Sequence, residues 1–86
     1  MGALKVYGAD SCADTVELLA HLDDLGVVYT YIDIKKDPKA AAWVRHQNDG
    51  KEKTPTVDVG GIILQTPGAL ELDEALSDAR LIPKLW

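Results

Sequence analysis

Cys12 is the one cysteine in the sequence, and it sits where a short segment ending in Val6-Tyr7-Gly8 gives way to a helical pattern. A helix N-terminus points unpaired backbone N–H groups and the positive end of the peptide dipoles at whatever occupies it. Both stabilise a thiolate over a thiol. A cysteine on its own is more often a small buried hydrophobe; its place at a helix start makes a nucleophilic thiol an equal reading. The second informative feature is Lys53-Thr54-Pro55-Thr56-Val57, with Lys51 adding a nearby positive charge. A proline at the mouth of a strand commonly marks only the strand's start, and a cis bond occurs in roughly 5% of X–Pro peptides. Ser11 and Thr15 have no evident base partner, so hydrolase chemistry has no support. His21, His46 and Cys12 show no metal-ligand spacing, and no metal is expected.

These residues need elements to position them. Ala3 to Tyr7 reads as a first strand ending at Gly8. Ser11 is the candidate N-cap of the first helix, with Asp14 three residues on as an acidic capping box. Val16, Leu18, Leu19, Leu22 and Leu25 then recur at helical spacing, and Gly26 supplies the stop. Val27 to Ile34 is rich in Val, Tyr, Thr and Ile and predicts a second strand, joined to the first by a right-handed parallel crossover. Asp37-Pro38 opens a second helix that runs through Trp43 and Val44 and ends around Asn48-Asp49-Gly50. Thr56–Val59 and Ile62–Gln65 are short strands around a Gly60-Gly61 hairpin turn. A last helix beginning near Pro67-Gly68 carries Leu70, Leu72, Ala75 and Leu76. Trp43 is expected to pack in the core or on a helix face, and the apolar tail Leu81–Trp86 to dock through Trp86. The order is β-α-β-α-β-β-α, a four-stranded mixed sheet covered by helices.

At 86 residues the chain reads as one domain, 1–86, and 47% hydrophobic with 27% charged residues argues against disorder. No apolar run approaches the roughly 20 residues of a transmembrane helix. Met1-Gly2-Ala3-Leu4-Lys5 does not read as a secretory signal, and one cysteine cannot form an internal disulfide. The expectation is a cytoplasmic protein away from membranes. A net charge of −5 weighs against nucleic-acid binding, which depends on Lys and Arg at phosphates.

Taken in order, the strand ending in Val6-Tyr7, Cys12 opening a helix, the strand ending in Tyr31-Ile32-Asp33, Thr54-Pro55 before the third strand and the Gly60-Gly61 hairpin resemble the thioredoxin-fold superfamily, and within it a glutaredoxin-like protein. The resemblance implies a thioredoxin-like three-layer α/β sandwich. It matches Cys12 to the nucleophile of the glutaredoxin Cys-x-x-Cys motif and puts Thr15 at the resolving cysteine, a monothiol version. It matches Pro55 to the cis-proline whose neighbouring backbone pairs with a bound thiol, Lys53 and Thr54 to the residues ahead of it, and Tyr7 to the strand-end aromatic. Thr66 and Pro67 fall in the stretch that would complete the thiol-binding rim. That stretch, Leu64 to Ala69, lacks the glycine pair and aspartate of glutathione-binding glutaredoxins and is more similar to the turn of the mycoredoxin and actinobacterial glutaredoxin-like group.

The activity implied is thiol–disulfide exchange by a monothiol mechanism through Cys12, with a small thiol (glutathione or mycothiol) as co-substrate and mixed-disulfide proteins as partners of a monomer. The alternative is a catalytically inactive thioredoxin-fold binding module or a redox sensor. In place of the basic residue that glutaredoxins set before the cysteine, this chain has Ala9, Asp10 and Ser11. The helix terminus lowers the thiol pKa while Asp10 and Asp14 raise it, and the net expectation is a modest depression.

Overall fold

The computed structural model describes residues 4–82. Its central strand, β1 (Leu4–Gly8), buries Leu4, Val6 and Gly8 on one face and half-buries Tyr7 on the other. A strand covered on both faces needs a partner on each side. β1 runs parallel to β2 (Thr30–Asp33), with Val6 opposite Tyr31, and antiparallel to β3 (Thr56–Val59), with Val6 opposite Val57. β4 (Ile62–Gln65) completes the order β2-β1-β3-β4. Gly60 and Gly61 turn the β3–β4 hairpin at φ 59° and 100°, which a side chain resists.

Among the described residues three helices cover this sheet: α1 (Ala13–Leu25), α2 (Pro38–Gln47) and α3 (Ala69–Asp78). Leu18 and Leu22 of α1 and Leu72 and Leu76 of α3 pack with Leu4, Val6, Val57 and Val59 on one face. On the opposite face Ala40, Ala41 and Val44 of α2 pack with Ile34, flanked by Tyr7, Ile32 and Trp43. The product is the three-layer α/β sandwich of the thioredoxin fold. It sets the β1–α1 junction beside the entry to β3. Among the described residues, no helix is long and apolar enough to cross a membrane.

Local departures from the expected elements have identifiable causes. Ser11 does not cap α1: the Cys12 N–H bonds to the Ala9 carbonyl at 3.0 Å, so Asp10 and Ser11 form the corner of a turn. Cys12 is the N-cap residue, with extended backbone and no side-chain cap bond, so the expected Ser11–Asp14 capping box is absent. The second strand is shorter than Val27–Ile34 because its start closes the preceding helix. Gly26, at φ 71°, donates to the Asp23 carbonyl, and Val27 donates to the Leu22 carbonyl at 3.3 Å, as in a Schellman ending. Val28 is left 91% exposed, and pairing begins at Thr30. Asp37 caps α2 as its sequence implies, its side chain accepting from the Ala40 N–H at 3.1 Å. α3 starts at Ala69 with Gly68 as its N-cap. Trp43 stacks on Tyr7, ring centroids 4.4 Å apart. Leu81 and Ile82 pack against the main core, while the expected anchoring by Trp86 lies outside the described residues.

Candidate functional site

Cys12 is held at the start of α1 by two backbone bonds: its N–H to Ala9, and its carbonyl accepting from Val16 at 3.1 Å. Its half-buried side chain reaches across to the segment before β3, where Sγ donates to the Thr54 carbonyl at 3.7 Å. Thr15, one turn along α1, is fully buried, and its hydroxyl accepts from the Ala9 N–H at 3.4 Å. Its close approach to the end of β1 requires a residue without a side chain, which Gly8 supplies: a Cβ there would lie 2.4 Å from the Thr15 methyl.

The thiol pKa is lowered. The largest cause is the hydrogen bond with the Thr54 side chain, followed by the Thr15 side chain and the Thr15 backbone; burial opposes them, and the Asp14 backbone adds a smaller favourable part. Asp14 thus helps through its N–H. Asp10, expected to oppose the thiolate, is not among the groups that shift it, and its carboxylate is engaged elsewhere. It accepts from the Tyr31 hydroxyl at 2.8 Å and lies 3.8 Å from the Lys36 ammonium. Burial first, then the Asp10 bond and the charges of Asp10, Asp33 and Cys12, push the Tyr31 phenol up, so it remains a donor.

A depressed thiol pKa means the thiolate persists to lower pH than in an ordinary cysteine. The rate of Cys12 alkylation against pH is therefore expected to have a midpoint below the free-cysteine value of about 8.5. Thr54→Val should move that midpoint upward; a wild-type midpoint at the free value would contradict the geometry.

Pro55 is buried, joined to Thr54 by a cis peptide, and its carbonyl accepts from the Thr66 N–H at 2.8 Å. Beside it a groove of about 450 Å³ runs between α1 and the start of α3, past Thr66 and Pro67. Leu18 and Leu72 also line it, with Asp14 and Glu17 supplying negative charge, and none of its described lining residues is a lysine or arginine. At its far end His21 Nε2 lies 2.7 Å from Asp73 Oδ1, linking α1 to α3. Among the described residues no group of three or more His, Cys, Asp and Glu is arranged to hold a metal ion.

Of the site residues expected from sequence, Cys12, Thr15 and Thr54 meet directly, and Pro55, Thr66 and Pro67 line the adjoining groove. Lys53 enters through its backbone: its carbonyl accepts from the Thr56 hydroxyl at 2.7 Å while its side chain is exposed. The Tyr7 ring is turned to the α2 face, against Trp43. Glu17, His21 and Tyr31 were not legible as site residues. Glu17 has no motif around it, His21 falls among the leucines of the first helical pattern, and Tyr31 meets Asp10 only through the β1–β2 pairing.

The family comparison agrees with this geometry. The Glutaredoxin family model matches residues 4–63, from β1 to the first half of β4. Mycoredoxin 1 of Corynebacterium glutamicum is 39% identical over 57 residues, covering 66% of this chain and 70% of the relative. Among solved structures, a mutant of the thioredoxin-like protein BC3987 superposes with a TM-score of 0.80 at 27% identity, over 90% of this chain and 97% of that one. A buckwheat glutaredoxin–glutathione complex superposes with a TM-score of 0.71 over 93% of this chain and 81% of that one; at 21% identity this is a likeness of fold. With its cysteine at the start of α1, its cis-proline at the mouth of β3 and a family match spanning both, this chain belongs to the glutaredoxin family.

Proposed function

We propose that the protein reduces mixed disulfides between proteins and a small thiol, by a monothiol mechanism through Cys12. The observation that carries this reading is the Cys12 sulfur at a helix start, its pKa lowered chiefly by Thr54 and Thr15. The Cys12 thiolate attacks the small-thiol sulfur of the mixed disulfide. A bond forms between that sulfur and Sγ, the protein–sulfur bond breaks, and the protein leaves as a thiolate that takes a proton from water. Thr15 has a hydroxyl where a resolving thiol would stand, so the adduct waits for a second small-thiol thiolate. That thiolate attacks the small-thiol sulfur of the adduct, giving the oxidised small-thiol dimer and returning the Cys12 thiolate.

The groove chemistry favours an uncharged, sugar-linked thiol of the mycothiol kind over glutathione. Among its described lining residues Asp14 and Glu17 carry negative charge and none is a lysine or arginine, which disfavours a tripeptide carrying two carboxylates. The similarity to mycoredoxin 1 supports the same choice. The test is turnover of a small mixed-disulfide substrate with each thiol in turn. Faster turnover with mycothiol is expected. Equal or faster turnover with glutathione overturns the thiol assignment, and no turnover with either, from folded protein, overturns the enzyme.

A further inference from the structure

We propose that Asn48 and Thr56 are positioning residues for Cys12: their buried hydrogen bonds fix the Lys53–Pro55 segment, and with it the Thr54 groups that meet the sulfur. The inference rests on the reading of Cys12 as the working thiolate. After α2, Asp49 at φ 55° and Gly50 at φ 87° reverse the chain, and residues 49–53 run exposed to the site without regular structure. Something must hold the end of that loop to within tenths of an ångström, because hydrogen bonds to the sulfur weaken steeply with misplacement.

The exposed Arg45–Glu52 ion pair, at 2.6 Å, is screened by water and is a weak restraint. The buried bonds are better suited. Asn48 is 4% exposed and Thr56 fully buried. The Asn48 amide donates to the Val44 carbonyl at 2.6 Å and to the Thr56 hydroxyl at 3.4 Å, and that hydroxyl donates to the Lys53 carbonyl at 2.7 Å. On the other side of Thr54, the Pro55 carbonyl is held by the Thr66 N–H. Thr54 is therefore bracketed by a fixed carbonyl before it and another after it.

The Asn48 amide has one further property that bears on its role. Its Oδ1 is buried with no hydrogen-bond partner. Turning the amide over would set that oxygen against the Val44 carbonyl, acceptor against acceptor, so the orientation is fixed by the donor side. An unpaired buried acceptor is destabilising. Stability alone would thus favour a residue lacking that oxygen, whereas the bracket needs the donor.

Thr56→Val tests this, since it keeps the β-branched shape that suits a strand while removing both bonds of the hydroxyl. The alkylation midpoint of Cys12 is expected to rise by about half a pH unit, roughly threefold less thiolate below the midpoint. Thr56→Ser should restore it. In a Thr54→Val background the same change should add little, because the Thr54 hydroxyl it positions is already gone. Asn48→Ala gives a second reading, with the midpoint rising in the same direction. A lower melting temperature with an unmoved midpoint in both Thr56→Val and Asn48→Ala would overturn the proposal and leave the pair a role in stability only. An equal midpoint shift with and without the Thr54 hydroxyl would also overturn it. A wild-type thiol that titrates like free cysteine would instead remove the thiolate reading on which the proposal rests, so the two failures are told apart.

Discussion

Cys12→Ser is expected to reduce mixed-disulfide turnover to the rate of the uncatalysed thiol exchange, while the folded structure persists. The reason is chemical rather than steric. Serine presents a hydroxyl where the wild type presents a sulfur whose ionisation Thr54 and Thr15 promote. The hydrogen bonds recorded for Cys12 join it to Ala9, Val16 and Thr54, none of them a base that would activate a hydroxyl, and oxygen cannot form the mixed disulfide through which exchange proceeds. The side chain is only half-buried, so the swap leaves the core intact. Stability should nevertheless respond to pH in a characteristic way. A folded-state pKa below the unfolded one favours folding once the thiol ionises: the gain is complete above the unfolded value and is lost as pH falls through the folded value. The serine variant has no such gain, so the difference in melting temperature should widen in favour of wild type as pH rises through that window. Wild-type turnover by the serine variant would remove Cys12 from the chemistry. Capture of a partner segment by both proteins, with turnover by neither, would mark a binding module.

The sequence made the fold legible wherever burial and local signal agree. The α1 leucines, the Gly26 stop, the Asp37-Pro38 start and the paired glycines of the hairpin each specify their element locally, and the core at Leu18 and Leu22 follows. Signals failed where one residue served two purposes. Val27 has the character of a strand but spends its N–H closing α1, and Val16 belongs to the helical apolar repeat yet is 53% exposed beside the site. The site divides in the same manner. Cys12 announces itself, whereas its contact with Thr54 joins residues 42 positions apart and was accessible only through family resemblance. The pairing of Asp10 with Tyr31 has no local signature, which is why the aspartate read from sequence as an opponent of the thiolate. Asn48 likewise read as nothing more than a helix end.

Gly8→Ala should carry the largest stability penalty of any single methyl added near the site. A Cβ at position 8 would meet Thr15 at 2.4 Å from Cγ2, 2.7 Å from Oγ1 and 3.1 Å from Cβ. The far atoms of a flexible side chain could swing aside, but Thr15 is β-branched, fully buried and bonded to the Ala9 N–H. Either β1 or the first turn of α1 must shift. Overpacking of this kind costs about 1–3 kcal/mol, and in a domain of this size each kcal/mol lowers the melting temperature by roughly 4–8 °C. A fall of about 5–20 °C is therefore expected by thermal denaturation; one within about 1 °C of wild type would show that the close approach is not made. The thiol midpoint should rise with it, because the displaced Thr15 hydroxyl is one of the groups that lower it. Combining Gly8→Ala with Thr15→Ala separates the two effects. Removing the methyl and the hydroxyl relieves the clash, so the pair should be strongly non-additive and recover much of the lost stability. The thiol midpoint should stay high, since the hydroxyl that helped to lower it is gone. Packing at the β1–α1 junction and acidity at Cys12 share one threonine, its methyl set against Gly8 and its hydroxyl against the sulfur.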